Sequence, residues 1–222
     1  MSAFNLSTSH GRFWTYLHYI WNDHAYFRLA FSNAHWISEE LVRANQPWPF
    51  QVKAWKDRGI RTILNLRGEF DTDSHYVLER EACERYGVKL VTFTVYSREA
   101  PTAGQVVGAK ALFETLEYPV MMHCKSGADR AGMMSALYMH FRQGLPIREA
   151  MDQLHLKFGH FRQGLVGVLD YTFDRYLEEG EPAGLSFLEW VQSPAYDPKA
   201  MKRQFKSTRL GTLITEKLLR RE

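Results

Sequence analysis

Residues 119–132 read Pro-Val-Met-Met-His-Cys-Lys-Ser-Gly-Ala-Asp-Arg-Ala-Gly. Val120 to Met122 is a short apolar run suited to a buried strand, and Ala131 to Phe141 carries a helical pattern. Cys124 and Arg130 therefore stand at the two ends of a strand-to-helix loop. The intervening residues Lys125, Ser126, Gly127, Ala128 and Asp129 can wind into a cradle whose backbone N–H groups converge on an anion, and the start of the helix adds positive potential there. That field favours ionisation of the Cys124 thiol. The planar fork of Arg130 matches two equatorial phosphoryl oxygens, which a lysine could not do. Gly127 and Gly132 remove Cβ where the chain must turn sharply and where the helix must pack tightly. The stretch is suited to holding a phosphate against a sulfur nucleophile.

Outward from this loop, strands and helices alternate. Thr62 to Leu66 reads as a strand, Ser74 to Tyr86 as a helix ending at Gly87, Lys89 to Val95 as a strand, and Thr102 to Leu116 as a helix. Pro49 to Arg58 is a helix with proline at its first position. Further upstream, Gly11 to Asn22 is an aromatic-rich helix or arm, and Tyr26 to Phe31 and His35 to Ile37 are expected as strands. Downstream, helices are expected at Pro146 to Phe158, Leu165 to Leu177, Ser186 to Val191 and Ser207 to Arg220. The pattern predicts an α/β fold, with a mostly parallel central sheet of four to five strands flanked by helices. The expected organisation is an N-terminal helical arm over 1–25, a catalytic domain over 26–180, and a helical extension over 181–222 packed on it.

Composition is consistent with one soluble domain, since 222 residues with 45% hydrophobic and 24% charged side chains can bury a sizeable core. Cys83 and Cys124 are the only cysteines, too few for a disulfide framework, which favours a reducing compartment. The start of the chain lacks the basic and apolar segments of a signal peptide, and no run reaches membrane-spanning length, so a cytoplasmic location is expected. A formal charge of +3 gives no ground for a nucleic-acid partner. Trp14, Tyr16, Tyr19 and Trp21 could form an interfacial patch beside a basic tail of Lys199, Lys202, Arg203, Lys206, Arg209, Arg220 and Arg221. Asp23, Glu216 and Glu222 weaken that electrostatic case, and contact with a membrane surface is not the favoured expectation.

His123-Cys124-x5-Arg130 resembles the active-site loop of cysteine-dependent protein tyrosine and dual-specificity phosphatases, in their compact atypical bacterial branch. The likeness extends from about Arg28 to Phe158 and includes Phe31-Ser32-Asn33-Ala34 and the stretch from Arg58 to Arg67. It implies a two-step hydrolysis of a phosphorylated protein or small phosphorylated ligand: thiolate attack, a cysteinyl-phosphate intermediate, then attack by water. No cofactor and no metal are expected. His155 and His160 flank Lys157-Phe158-Gly159 without the register of paired zinc ligands. His123 is expected to support the cysteine through hydrogen bonds rather than to donate a proton.

Many family members carry an aspartate before a proline on a mobile loop, corresponding here to Tyr96 to Thr102. This chain has Ser97 about there, and Glu99 is the one carboxylate in the stretch. Asp129, inside the loop, resembles the aspartate that a bacterial subgroup of broad-specificity and phosphoinositide phosphatases carries there in place of the mobile-loop acid; it is the favoured general acid because the motif fixes its geometry, and a neighbouring phosphate would raise its pKa toward the protonated form. The alternative for Asp129 is a structural salt bridge or a helix N-terminal charge, and for Glu99 a solvated carboxylate. Two further departures stand out. Ala131 occupies the place of a serine or threonine that assists breakdown of the thiophosphate, so a catalytically weak pseudophosphatase that binds phosphate is the alternative function. Ala128 stands where the loop-aspartate subgroup tends to carry a lysine; Lys125 instead follows the cysteine, as in some lipid and atypical dual-specificity phosphatases, and either attracts a second phosphate or acidic head group or is an ordinary surface lysine. A redox or arsenate-handling thiol protein is a third reading, weakened by the lack of a cysteine beside Cys124.

Overall fold

The computed structural model describes residues 4–205. They divide into two units, one formed by 4–94 with 117–126 and the other by 95–116 with 127–205.

The first unit holds the sheet. In chain order its elements are α1 (Ser9–Asn22), α2 (Phe27–Ala30), β1 (His35–Trp36), β2 (Leu41–Asn45), α3 (Pro49–Asp57), β3 (Thr62–Asn65), α4 (Ser74–Tyr86) and β4 (Lys89–Thr92). After α5 (Ala103–Thr115) of the second unit, the chain returns as β5 (Val120–Cys124). Strand order is β1-β2-β5-β3-β4, with β1 antiparallel at one edge and the rest parallel. The last strand among the described residues is thus the middle strand in space, with His123 opposite Ala44 of β2 and Asn65 of β3.

Burial explains why these short segments are strands. Val42, Ala44, Ile63 and Met121 project from one face into an apolar cluster with Val52 and Trp55 of α3 and Ala82 and Cys83 of α4. One position out of phase, Leu41, Leu64, Val120 and Met122 are also fully buried. Strands covered on both faces read as continuous apolar runs rather than alternating ones. Each such side chain removed from water is worth about 1.5–3 kcal/mol. At the end of α4, Gly87 adopts φ +63° and its N–H returns to Cys83 and Glu84, the left-handed cap expected from the sequence. The α/β fold with a mostly parallel sheet flanked by helices is as expected.

The unit departs from the sequence reading at two places. Leu41–Asn45 is a strand outside the expected ones, with Arg43 and Asn45 buried among its apolar residues. Tyr26 to Phe31, expected as a strand, is the single helical turn α2. Its alternating Phe27, Leu29 and Phe31 are exposed, and Arg28 turns inward to Asp23. The aromatic residues of α1 are also split: Trp14 and Trp21 are exposed, while Tyr19 is a core residue packed edge-on to Trp48.

The second unit is helical. It comprises α5, α6 (Asp129–Gln143), α7 (Ile147–Ala150), α8 (Val168–Arg175), α9 (Phe187–Gln192) and α10 (Pro198–Gln204), with single 3₁₀ turns at Met151–Gln153, Leu156–Phe158 and Leu165–Gly167. Thr102 with Gln105 and Ser186 with Glu189 form reciprocal capping boxes at the starts of α5 and α9. Ten successive residues of α6, Asp129 to Tyr138, are buried, so this helix has no exposed face along that length. Phe173, Tyr176, Phe187 and Trp190 form an aromatic cluster, and Tyr138 packs edge-on to Phe113. The helix expected over Pro146 to Phe158 is broken after Ala150, where His155 turns extended and its ring accepts the Lys157 N–H. The helix expected over 207–220 lies outside the described residues.

Candidate active site

β5 delivers the motif from the middle of the sheet. Cys124 is its last residue, paired in register with Asn45, and is buried at 2% exposure. Neighbouring side chains and backbone hold the residues that follow. Asn33 donates from Nδ2 to the Ser126 carbonyl at 2.9 Å, and the Gln46 N–H donates to the Lys125 carbonyl at 3.4 Å. Asn45 in turn donates to the Phe31 carbonyl. A carbonyl drawn outward by a side-chain amide tilts its peptide so that the N–H groups turn the other way, which is the orientation an anion cradle needs.

His123 points to the opposite face of the strand from Cys124, where its Nε2 lies 2.9 Å from Glu79 Oε1 of α4 with both side chains fully buried. The two atoms are within ion-pair distance without hydrogen-bond alignment. Its Nδ1–H reaches the Cys124 carbonyl at 3.4 Å.

Lys125 leads to a buried charge cluster that the sequence did not disclose. Its Nζ is 3.6 Å from Asp23 Oδ1. The same carboxylate accepts from Arg28 at 2.6 Å and from Arg67 at 2.6 and 3.1 Å, and Arg67 also donates to Gln46 Oε1. Burial would raise the Asp23 pKa, but Arg67 and its hydrogen bonds, then Arg28, hold the carboxyl well below the usual range. For Lys125, burial is the largest influence and lowers its pKa, with Asp23 opposing. Arg67 therefore braces this cluster.

Removing the single carboxylate should leave its cations without their counter-charge. Asp23→Asn is expected to lose about 3–5 kcal/mol of stability at neutral pH. A depressed folded pKa gives stability that is present above the unfolded value of about 3.9 and lost as pH falls below it. Urea unfolding should accordingly show the gap between wild type and Asp23→Asn narrowing from pH 7 to pH 3. Equal midpoints at pH 7 would show the cluster contributes nothing.

In the second unit, Gly127 has φ +74°, a conformation that L side chains rarely adopt, and Ala128 precedes the first turn of α6. Asp129 and Arg130 open the helix, both buried. Asp129 Oδ1 accepts from His160 Nδ1 at 2.8 Å, and His160 Nε2 donates to Asp170 Oδ2 of α8 at 2.6 Å. Burial would lower the His160 pKa, but the hydrogen bonds to Asp129 and Asp170 raise it to about 9. Asp129 is thus part of a buried carboxylate–imidazolium–carboxylate triad, a partnership sequence reasoning missed. Only the fully apolar surroundings of His160 in sequence, Gly159 and Phe161, hinted that it was no surface residue.

The other candidates fall as follows. Glu99 is exposed and ion-paired with Lys202 at 2.8 Å. Ser97 is buried at 3% exposure, and Ala131 is fully buried. Among the described residues, no group of three or more His, Cys, Asp or Glu is placed to hold a metal ion, and no helix is long and apolar enough to cross a membrane. Cys124, Lys125 and Ser126 belong to the first unit and Gly127, Ala128, Asp129 and Arg130 to the second, consecutive along the chain.

Residues 38–164 match the family model of the DSP-PTPase phosphatase fused to NAD+ kinase. Among solved structures, P. aeruginosa TpbA, as a cysteine-to-serine variant in complex with pTyr, is 21% identical, with 58% of this chain and 75% of that chain covered and a TM-score of 0.46. Tk-PTP in its active form is 21% identical over 56% and 84%, TM-score 0.47, and PTPMT1 is 16% identical over 67% and 99%, TM-score 0.48. No curated protein sequence matches significantly. With more than half of its length matched by that model, the chain belongs to the family of DSP-PTPase phosphatases fused to NAD+ kinase, within the cysteine-dependent dual-specificity phosphatase-like superfamily.

Proposed function

We propose that the protein hydrolyses phosphomonoesters through a cysteinyl-phosphate intermediate. The substrate is phosphotyrosine, phosphoserine or phosphothreonine in a protein, or a phosphoinositide, lipid or sugar phosphate. The observation that carries this reading is the segment from Cys124 to Arg130. It leaves the carboxyl end of the middle parallel strand and enters the N-terminus of a long helix, where open parallel sheets keep their ligands.

In the first step the Cys124 thiolate attacks phosphorus, the ester P–O bond breaks, and the leaving oxygen takes a proton from Asp129. Arg130 and the backbone N–H groups of the loop hold the equatorial oxygens. In the second step water attacks phosphorus, gives its proton to Asp129, and the S–P bond breaks to restore the thiolate. Asp129 is preferred to Glu99 because it is buried beside Arg130 in the chain, whereas Glu99 is exposed and paired with Lys202.

The test is phosphate release from a panel of phosphopeptides, phosphoinositides and phosphosugars. Asp129→Asn should slow poor leaving groups by about 10²-fold while changing p-nitrophenyl phosphate only a few-fold, since that phenolate scarcely needs a proton. Equal losses on both would remove Asp129 from the role. The buried Ala131, which has no hydroxyl to assist the departing sulfur, favours one second reading, a phosphate-binding module with little turnover. That reading requires wild-type protein that binds inorganic phosphate yet releases none from any substrate in the panel.

A further inference from the structure

His160 lies outside the motif, yet it is fastened to the residue beside Arg130. A neutral imidazole carries one N–H and can satisfy one carboxylate; the imidazolium carries two and satisfies both. Here both ring nitrogens face carboxylates, Asp129 at 2.8 Å and Asp170 at 2.6 Å, from different helices and with the ring fully enclosed. Burying such a triad removes several charges from water and is weak evidence for stability as its purpose.

We infer that His160, held by Asp170, is a positioning residue for Asp129, fixing the orientation of its carboxyl group and stabilising the carboxylate left after proton donation. The inference rests on the proposed role of Asp129. Bound phosphate dianion favours protonated Asp129, while the imidazolium favours the ionised form, so the opposing fields place the pair between a proton-holding and a proton-releasing state. When the ester P–O bond breaks, the leaving oxygen takes the Asp129 proton, and the new carboxylate is met at once by the His160 N–H already pointing at Oδ1. His160 keeps both of its protons throughout. Water returns the proton to Asp129 in the second step.

The groups facing His160 are Asp129 from α6 and Asp170 from α8. Asp174 of α8, Arg148 of α7, Arg162 of the adjoining loop, and Asp152 and His155 from the turns before it line the same cavity. A pKa near 9 means that His160 carries its second proton at neutral pH and loses it in mildly alkaline solution.

The experiment compares wild type, His160→Gln, Asp170→Asn, Asp129→Asn and the double variant Asp129→Asn with His160→Gln, on phenyl phosphate and p-nitrophenyl phosphate across pH. His160→Gln should lower kcat on phenyl phosphate about tenfold, with a smaller loss on p-nitrophenyl phosphate and KM within a few-fold. In the Asp129→Asn background it should cost nothing further. Wild type should show an alkaline decline that moves to higher pH in His160→Gln, where no imidazolium favours ionised Asp129. Losses that multiply in the double variant, or equal losses on both esters, would overturn the inference. Histidine 15N NMR gives an arm independent of turnover and folding of the glutamine variant: His160 should titrate near 9 in wild type and lower in Asp170→Asn. An ordinary titration in wild type would also overturn it. Absence of any Cys124-dependent turnover in wild type would instead overturn the phosphatase mechanism, a distinct result from normal turnover with an additive His160→Gln.

Discussion

Cys124→Ser is expected to abolish phosphate release, leaving a rate at least about 10⁴-fold below wild type. The substitution exchanges sulfur for oxygen at nearly constant volume, so the end of β5, where Cys124 pairs with Asn45, has no reason to rearrange. The Asn33 and Gln46 bonds to the Ser126 and Lys125 carbonyls do not involve the exchanged atom and should persist. What is lost is the nucleophile. A serine hydroxyl stays protonated unless a base takes its proton, and the nearest histidine in sequence, His123, is turned to the opposite face toward Glu79. Binding and chemistry should therefore separate: inorganic phosphate affinity measured by calorimetry stays within a few-fold while chromogenic release vanishes. Rapid quench of wild type with a good substrate should also give a protein heavier by one phosphoryl group, with none in the serine variant. Turnover by Cys124→Ser within tenfold of wild type would mean that the sulfur is not the nucleophile.

What sequence disclosed here was local, and what it hid was distant. The loop from Cys124 to Arg130 was legible because strand, glycine turn and helix follow each other without a gap. The α3-to-β4 alternation was legible because Gly87 and Pro49 mark helix ends by backbone chemistry alone. β2 was not, since fully buried Arg43 gives it the appearance of a polar segment; only its place beside β5 makes it a strand. Local alternation also misled at Tyr26 to Phe31, where the pairing of Arg28 with Asp23 outweighs the period-two pattern. The two clusters around the loop residues join positions far apart in sequence: Asp23 with Arg67 and Lys125, and Asp129 with His160 and Asp170. No periodicity or spacing rule reports such pairs, because charge neutralisation in a core depends on which elements pack together rather than on neighbours along the chain. For Asp129, the sequence reading kept catalysis and salt bridge as alternatives. The structure shows the ion pair with His160, and the double-variant experiment decides whether that pair serves the chemistry.

Arg130→Lys is expected to lower kcat by about 10³-fold while preserving the positive charge at the start of α6. If charge alone were needed, lysine would suffice, and the effect would be small and salt-dependent. A guanidinium presents two parallel N–H donors at the spacing of two phosphoryl oxygens, and as phosphorus flattens in the transition state those oxygens spread into one plane. A single ammonium can follow one of them. Arg130 is buried at 8% exposure, so water would not readily replace the missing donor. The loss should fall mainly on kcat, with inorganic phosphate binding weakened about tenfold or less, because the fork is matched best in the transition state. Arg130→Ala adds loss of charge and should weaken phosphate binding as well as turnover, separating the two contributions. Steady-state kinetics of both variants on p-nitrophenyl phosphate, with phosphate inhibition constants measured alongside, gives the comparison. A lysine variant retaining more than about a tenth of wild-type kcat would show that the fork is not aimed at the transferring phosphoryl group.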